Sequence, residues 1–472
     1  MKKLKNGALR KRNGKNHFQA LICRVSRLKV HDLLARPRGA LQPARKLAPG
    51  SNLHTNRNRT TNEDFIVLNL IDHQFRVETA QEKIDDLRNR LRNTRWPGDT
   101  DEHSDVYGTS VAYLKELVSY WLNDFDWREA ETKLNDWEQY KVIVAGSPIH
   151  FIRHMGKGPA PIPLIMSHGW PWSYREWTKV IEPLANPASF GGDPSDAFDV
   201  IVPSLSGFAF STPTQRHDMN FWKMAELWHT LMTETLGYEK YAAAGSDYGA
   251  LVTSQLGHKY ADKLYGIWLG HRIHLDVFQG DRPWDITGGA RIPEELPAPL
   301  REKGIEMQER FASHVAVHML DSQNLAVALA DSPVGMLAWI LRRWTKWSES
   351  NGNVESVFPR EHLITNATIW WLTNSITSSI RSYVNANRFP WTPSHDRVPI
   401  IEAPTGFTFL GYENPPGVST EKRVEQFLES PGEKDWYNPV YLKAHDHGGH
   451  FTPWENPEAV IEDIRATFRP LR

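Results

Sequence analysis

Cysteine is nearly absent from this 472-residue chain, with Cys23 the sole example. That excludes an internal disulfide framework and any zinc site built on thiolates, and it suits a reducing compartment. Long apolar runs are missing too. None approaches the roughly 18 apolar residues a membrane-spanning helix needs, so no integral span is expected. Net charge is close to nil, at −1, but the balance hides a shortage of acid at one end. Residues 1–60 hold 16 Lys/Arg and one carboxylate, Asp32, leaving 39 Lys/Arg against 55 Asp/Glu in the rest. So acidic a body argues against a nucleic-acid partner. The head, "MKKLKNGALRKRNGKNHFQALICRVSRLK", is Arg-rich and acid-poor in the manner of mitochondrial presequences. A disordered extension or a start codon placed too far upstream accounts for it equally well. Residues 1–62 are therefore set apart as a basic extension. The cytoplasm is the expected location, with mitochondrial targeting the alternative.

Ordered structure is expected from about Asp64. Over residues 63–140 the patterning is helical. "VETAQEKIDDLRNRLRNTRWP" spaces Ile84, Leu87 and Leu91 along one helix face and stops at Pro97, and "TSVAYLKELVSYWLNDF" and "DWREAETKLNDW" read as two more helices. The texture then changes. "YKVIVAGSPIHFIRH", "IPLIMSHGW", "AFDVIVPSLSGFAFS", "KYAAAGSDYG" and "LYGIWLGH" are short apolar or β-branched runs bounded by Gly and Pro, mostly separated by helix-sized stretches. This alternation predicts an α/β fold with a mostly parallel sheet. It occupies residues 141–274 and resumes over 398–472 in "IEAPTGFTFLG" and "VYLKAHDHGGHF". Between them, 275–397 is too long for one strand-to-helix step and is read as an inserted helical subdomain.

The stretch "AAAGSDYGALVTSQLG" offers two adjacent nucleophiles, Ser246 and Asp247. A nucleophile elbow needs small residues two before and two after its apex, because the turn presses strand and helix backbones together. Around Ser246 those positions hold Ala244 and Tyr248, and the tyrosine does not fit. Around Asp247 they hold Gly245 and Gly249. The apex is Asp247; a helix-capping aspartate is the bland alternative. A carboxylate attacking an sp3 carbon gives an alkyl-enzyme ester. Water must then attack the ester carbonyl, so backbone N–H groups should await an oxyanion on the enzyme's own side chain. Tyr248, following the apex, supplies one. Trp170, in the turn "SHGWPWS" after the third strand, supplies the other.

An acid and a histidine must follow the nucleophile in the chain. Glu413 lies after the strand "PTGFTFL", and "HDHGGHF" provides His445, His447 and His450. Three histidines invite a metal reading, but without cysteine and with only Asp446 nearby no metal or other cofactor is expected.

Taken in order, these motifs resemble the microsomal-type epoxide hydrolases of the α/β-hydrolase fold. The N-terminal pieces "LRNRLRNTRWP", "YGTSVAYLKELVSYW", "DWREAETKLN" and "IHFIRH" are similar to that family's N-terminal region. "SHGWPWSYREW" is similar to its oxyanion loop, "GSDYG" to its elbow, and "DSPVGMLAWIL" to a stretch of its cap. "PTGFTFLGYE" ends where its acid is found, and "GGHF" holds its histidine. The resemblance implies Asp247 as nucleophile, His450 as base for water, and Glu413 as the orienting acid. It also implies a helical cap over 275–397, whose "TSSIRSYVNANRF" puts a donor to the epoxide oxygen at Tyr383. The second donor tyrosine is replaced: its place, in "ASHVAVHML", falls on His314, an alternative proton donor or a packing residue. Tyr248 also departs from the family, which usually has tryptophan there. That weakens the nearest rival, a haloalkane dehalogenase, which would use an indole N–H at this position to hold halide. A catalytically impaired binding protein is the remaining alternative. The implied partners are a small apolar epoxide and water, with self-association into a homodimer left open.

Overall fold

The computed structural model describes residues 69–98, 101–286 and 296–472; the basic extension over 1–62 lies outside them. After a short 3-10 turn at Leu70–His73, three α-helices open the described chain: α1 (Gln81–Arg92), α2 (Val111–Asn123) and α3 (Trp127–Leu134). Helix α1 buries Ile84, Leu87 and Leu91, the face set by its 3–4 spacing. Ser110 and Asp126 start α2 and α3 by accepting the N–H groups of Tyr113 and Arg128.

Strands β1 (Gln139–Val144) and β2 (Ser147–His154) form an antiparallel hairpin. Its two-residue turn puts Ala145 and Gly146 at φ 44° and 80°, so the single apolar run of the sequence is two strands. The chain continues through β3 (Ile162–Ser167), α4 (Thr178–Ala185), β4 (Phe198–Pro203), α5 (Phe221–Thr230), β5 (Tyr241–Gly245), α6 (Tyr248–Lys259) and β6 (Leu264–Leu269). With β7 (Ile401–Leu410) and β8 (Tyr437–His445) these complete an eight-stranded sheet in the order β1-β2-β4-β3-β5-β6-β7-β8. From β4 to β8 every pairing is parallel; β2 meets both its neighbours antiparallel. This is the α/β-hydrolase fold. The central strand β5, "YAAAG", is wholly buried, as expected of a parallel strand covered on both faces.

Among the described residues five α-helices intervene between β6 and β7: α7 (Ala298–Leu320), α8 (Ser322–Asp331), α9 (Pro333–Trp347), α10 (Arg360–Thr373) and α11 (Ile376–Arg388). Pro333 forces a break, and α8 and α9 meet at 119°. Ser332 caps α9 by accepting the Gly335 N–H at 2.9 Å. Among the described residues no single helix is long and apolar enough to cross a membrane. Helices α7, α8 and α11 pack together, and α7, α9 and α11 carry the cap side chains that line the cavity over the carboxyl ends of the strands.

Candidate active site

In parallel α/β sheets the site gathers at the carboxyl ends of the strands. Four loops supply it here. The first is the turn from β5 into α6, whose apex is Asp247 at φ 50° and ψ −118°, a strained backbone for a residue with a side chain. A Cβ on Gly245 would stand 2.2 Å from the Gly249 carbonyl oxygen, and one on Gly249 would stand 2.0 Å from that of Ser167. Only glycine fits at either place, which is the physical content of the Gly-x-Asp-x-Gly pattern.

The other loops close around this apex. After β3, the Trp170 N–H donates to Asp247 Oδ1 at 2.8 Å. After β8, His450 Nε2 stands 3.1 Å from Asp247 Oδ2. After β7, Glu413 Oε1 lies 3.3 Å from His450 Nδ1. Tyr248 heads α6 directly behind the apex, its N–H not bonded to the resting carboxylate. Its hydroxyl donates to Ser382 of α11, tying core to cap.

Electrostatics bind the three ionisable groups together. Burial opposes the charged form of His450, but the Glu413 and Asp247 carboxylates outweigh it and push its pKa up to about 10. Burial would likewise raise Asp247, yet the His450 hydrogen bond and charge, with the Trp170 N–H, hold it below the ordinary value. Glu413 is held well below its ordinary value against burial by the charge of His450, by the nearby His271 and by its hydrogen bond with His450. At rest, then, an imidazolium lies between two carboxylates.

The loop after β3 has its own brace. Glu176 accepts the Gly169 N–H at 3.0 Å, and burial pushes its pKa up to about 8 from 4.5. Because the native state keeps a proton here that the unfolded chain releases near pH 4.5, this group favours folding most below 4.5. The contribution fades as pH rises toward 8. Glu176→Gln retains an oxygen acceptor but cannot ionise. Thermal melts from pH 5 to 8.5 should show the variant gaining on the wild type, on the order of 5 °C in Tm. A constant difference across that range would contradict the assignment.

A cavity of about 440 Å³ lies between core and cap and is lined by Asp247, His450, Tyr383 and His314. Leu251, Phe278, Val315 and Phe409 make much of its wall apolar. Tyr383, on α11, packs edge-on against Trp170 and Tyr248. Burial, and then the charge of Asp247, raise its pKa well above 10, so the phenol stays protonated. His314, on α7, stacks flat on the Trp170 indole and lies 5.7 Å from the Tyr383 ring, centroid to centroid.

Asp247, Tyr248, His314, Tyr383, Glu413 and His450 thus line one cavity, with the Trp170 N–H reaching Asp247 beside it; Ser246 and two histidines lie outside its lining. His445 pairs with Asp463 at 2.7 Å, and His447 is exposed beside Glu349. Reasoning from sequence overlooked Trp347 of α9, which packs on both Trp170 and His450, and His271, just past β6. Its one available signal was position, an imidazole at the end of the strand beside the nucleophile strand. His271, Glu413 and His450 offer donor atoms within 4.8 Å of one another. A metal there would have to displace the His450–Glu413 contact, so we read the group as a cluster of close polar contacts.

Residues 72–177 match the family described as epoxide hydrolase N terminus, and 162–390 match the alpha/beta hydrolase fold. Epoxide hydrolase 1 of Oryctolagus cuniculus is 31% identical over 412 residues, covering 83% of this chain and 87% of that one. The chain belongs to the microsomal-type epoxide hydrolase family. Epoxide hydrolase 1 of Sus scrofa is 29% identical over a similar span, 83% of this chain and 87% of the relative. Among solved structures, the Aspergillus niger epoxide hydrolase superposes with a TM-score of 0.66 at 24% identity, covering 85% of this chain and 96% of that one. The juvenile hormone epoxide hydrolase of the silkworm Bombyx mori gives 0.66 at 22% identity, with 85% and 94% covered. Both likenesses concern the fold. Membership makes the chain an epoxide hydrolase, and the chemistry of its cavity can be argued from the residues just described.

Proposed function

We propose that this epoxide hydrolase opens an apolar epoxide through a covalent ester on Asp247 and releases a vicinal diol. The observation that carries this reading is the carboxylate at the elbow apex, 2.8 Å from a backbone N–H and 3.1 Å from an imidazole. Asp247 attacks one ring carbon from the core side. The epoxide oxygen, on the cap side, takes a proton from Tyr383, with His314 as the second donor. An alkoxide is too basic to leave without that proton.

Proton bookkeeping then explains the order of steps. His450 begins protonated and cannot serve as a base. Esterification of Asp247 removes one of the two charges that hold the proton, and the imidazolium can now give it up to the tyrosinate. Neutral His450, oriented by Glu413, takes a proton from water as the hydroxide adds to the ester carbonyl. The oxyanion forms on Asp247, where the N–H groups of Trp170 and Tyr248 serve it. Collapse expels the diol and restores the carboxylate and the imidazolium.

The dehalogenase alternative would need N–H donors for a halide. Trp170 spends its indole N–H on Ser379, and Tyr248 spends its hydroxyl on Ser382. The reading is tested by assaying styrene-type, aliphatic and terpene epoxides for diol, with haloalkanes assayed for halide in parallel. Diol without halide is expected; halide release alone would overturn it. Tyr383→Phe should lower kcat/KM for epoxides by about 10²-fold, the usual scale of a lost general acid. His314→Phe should cost less, and the double variant more than either. Unchanged single-turnover ester formation in Tyr383→Phe would remove the phenol from the mechanism.

A further inference from the structure

We propose that His271 is a positioning residue that couples the nucleophile elbow to the acid Glu413, an inference that rests on the covalent mechanism above. Its Nδ1 accepts the backbone N–H of Asp247 at 2.9 Å. A backbone amide can only donate, so Nδ1 must be unprotonated and the ring proton must sit on Nε2. The hydroxyl of Ser246, 3.0 Å from the same Nδ1, is compatible with that tautomer. Nε2 is buried, makes no hydrogen bond of ordinary geometry, and faces Glu413 Oε2 at 3.4 Å.

The contacts close into a ring. The Asp247 amide reaches Glu413 through His271, and Glu413 returns to the Asp247 carboxylate through His450. Each Glu413 oxygen therefore faces a different imidazole. The two rings pack with centroids 4.4 Å apart, and the His271 side chain is 91% buried against them. Two consequences follow. The Nε2–H fixes the rotation of the Glu413 carboxylate, so that Oε1 stays aimed at His450. The Nδ1 lone pair holds the amide plane of Asp247, whose φ of 50° and ψ of −118° no side-chain-bearing residue adopts without support. Only the first bears on the hydrolytic half-reaction, because Glu413 acts through His450 and not on the epoxide.

The two functions of the ring can be separated. His271→Asn keeps an oxygen acceptor close to the position of Nδ1, yet its side chain ends short of Glu413. Single-turnover experiments with styrene oxide, followed by intact-protein mass, measure ester formation and ester decay independently. His271→Asn should form the ester within about twofold of the wild-type rate and hydrolyse it about tenfold or more slowly, the scale of a lost orienting partner. His271→Phe should slow both steps. Wild-type ester decay in His271→Asn, or an equal fall in both steps, would overturn the proposal. A measurement on the unmodified enzyme guards against variants that fail to fold. Nitrogen NMR of 15N-histidine-labelled protein should report His271 protonated at Nε2 alone, and a proton on Nδ1 would also refute it. A wild type that never shows the ester would instead remove the covalent reading, and this inference with it.

Discussion

Asp247→Ala is expected to abolish diol formation, with a loss of at least about 10⁴-fold on every epoxide the wild type accepts. Three structural facts set the size of this effect. No other nucleophile is placed to substitute: the adjacent Ser246 hydroxyl is buried and engaged by His271 and Thr452. The Trp170 N–H aims at the Asp247 side chain itself, so direct attack of water on substrate would gain nothing from it. His450 aims its Nε2 at the Asp247 carboxylate, 3.1 Å from Oδ2, where an ester carbonyl and not an epoxide carbon would stand. Binding should survive, since the cavity walls are unchanged, and product-like diols should still compete for the cavity. Full turnover would end the assignment; loss of folding, read by circular dichroism, is the control.

His450→Gln is expected to stop the cycle half-way. Glutamine can hydrogen-bond to Glu413 and to Asp247 but cannot take a proton from water, so the ester should form and then persist. Steady-state turnover should fall by about 10²–10⁴-fold, the range of a lost general base. Mixing with excess substrate should still give one equivalent of modified protein, heavier by the mass of the epoxide. The site's electrostatics make the two half-reactions respond differently. Removing the imidazolium takes away the positive charge that holds Asp247 low, while Tyr383 and His314 remain to protonate the leaving oxygen. A variant that turned over without accumulating modified protein would show that His450 is not the base for hydrolysis.

How much could be read before any coordinates depends on the reach of each residue's constraint. The elbow was legible because its constraint is local: Gly245 and Gly249 flank Asp247 within five residues, and both are demanded by backbone contact distances. Trp170 and Glu413 were legible because each directly follows a strand, β3 or β7, at the end where sites form. His450 needed the family resemblance to be told from His445, whose partner Asp463 lies in a later helix. His314 and His318 sit one turn apart on α7, and sequence alone does not say which faces the cavity. The structure puts His314 on the cavity wall, while His318, fully buried, accepts the Trp339 indole N–H. The His271 contact was out of reach, because nothing in "LYGIWLGH" refers to a glutamate that arrives only after the whole cap. The same holds for the Tyr248–Ser382 bond, which joins the first residue of α6 to the cap. Long-range contacts of this kind carry no sequence period.

The central claim is that the diol oxygen is delivered by Asp247 and replaced there by solvent. Excess enzyme should be mixed with epoxide in H₂¹⁸O for a single turnover, and both the diol and the peptide containing Asp247 then weighed. Water attacking the ester carbonyl leaves the heavy isotope in the Asp247 carboxylate and a first-turnover diol without label. Label in the diol, with none on Asp247, would mean that water opened the ring directly, and the covalent account would be wrong.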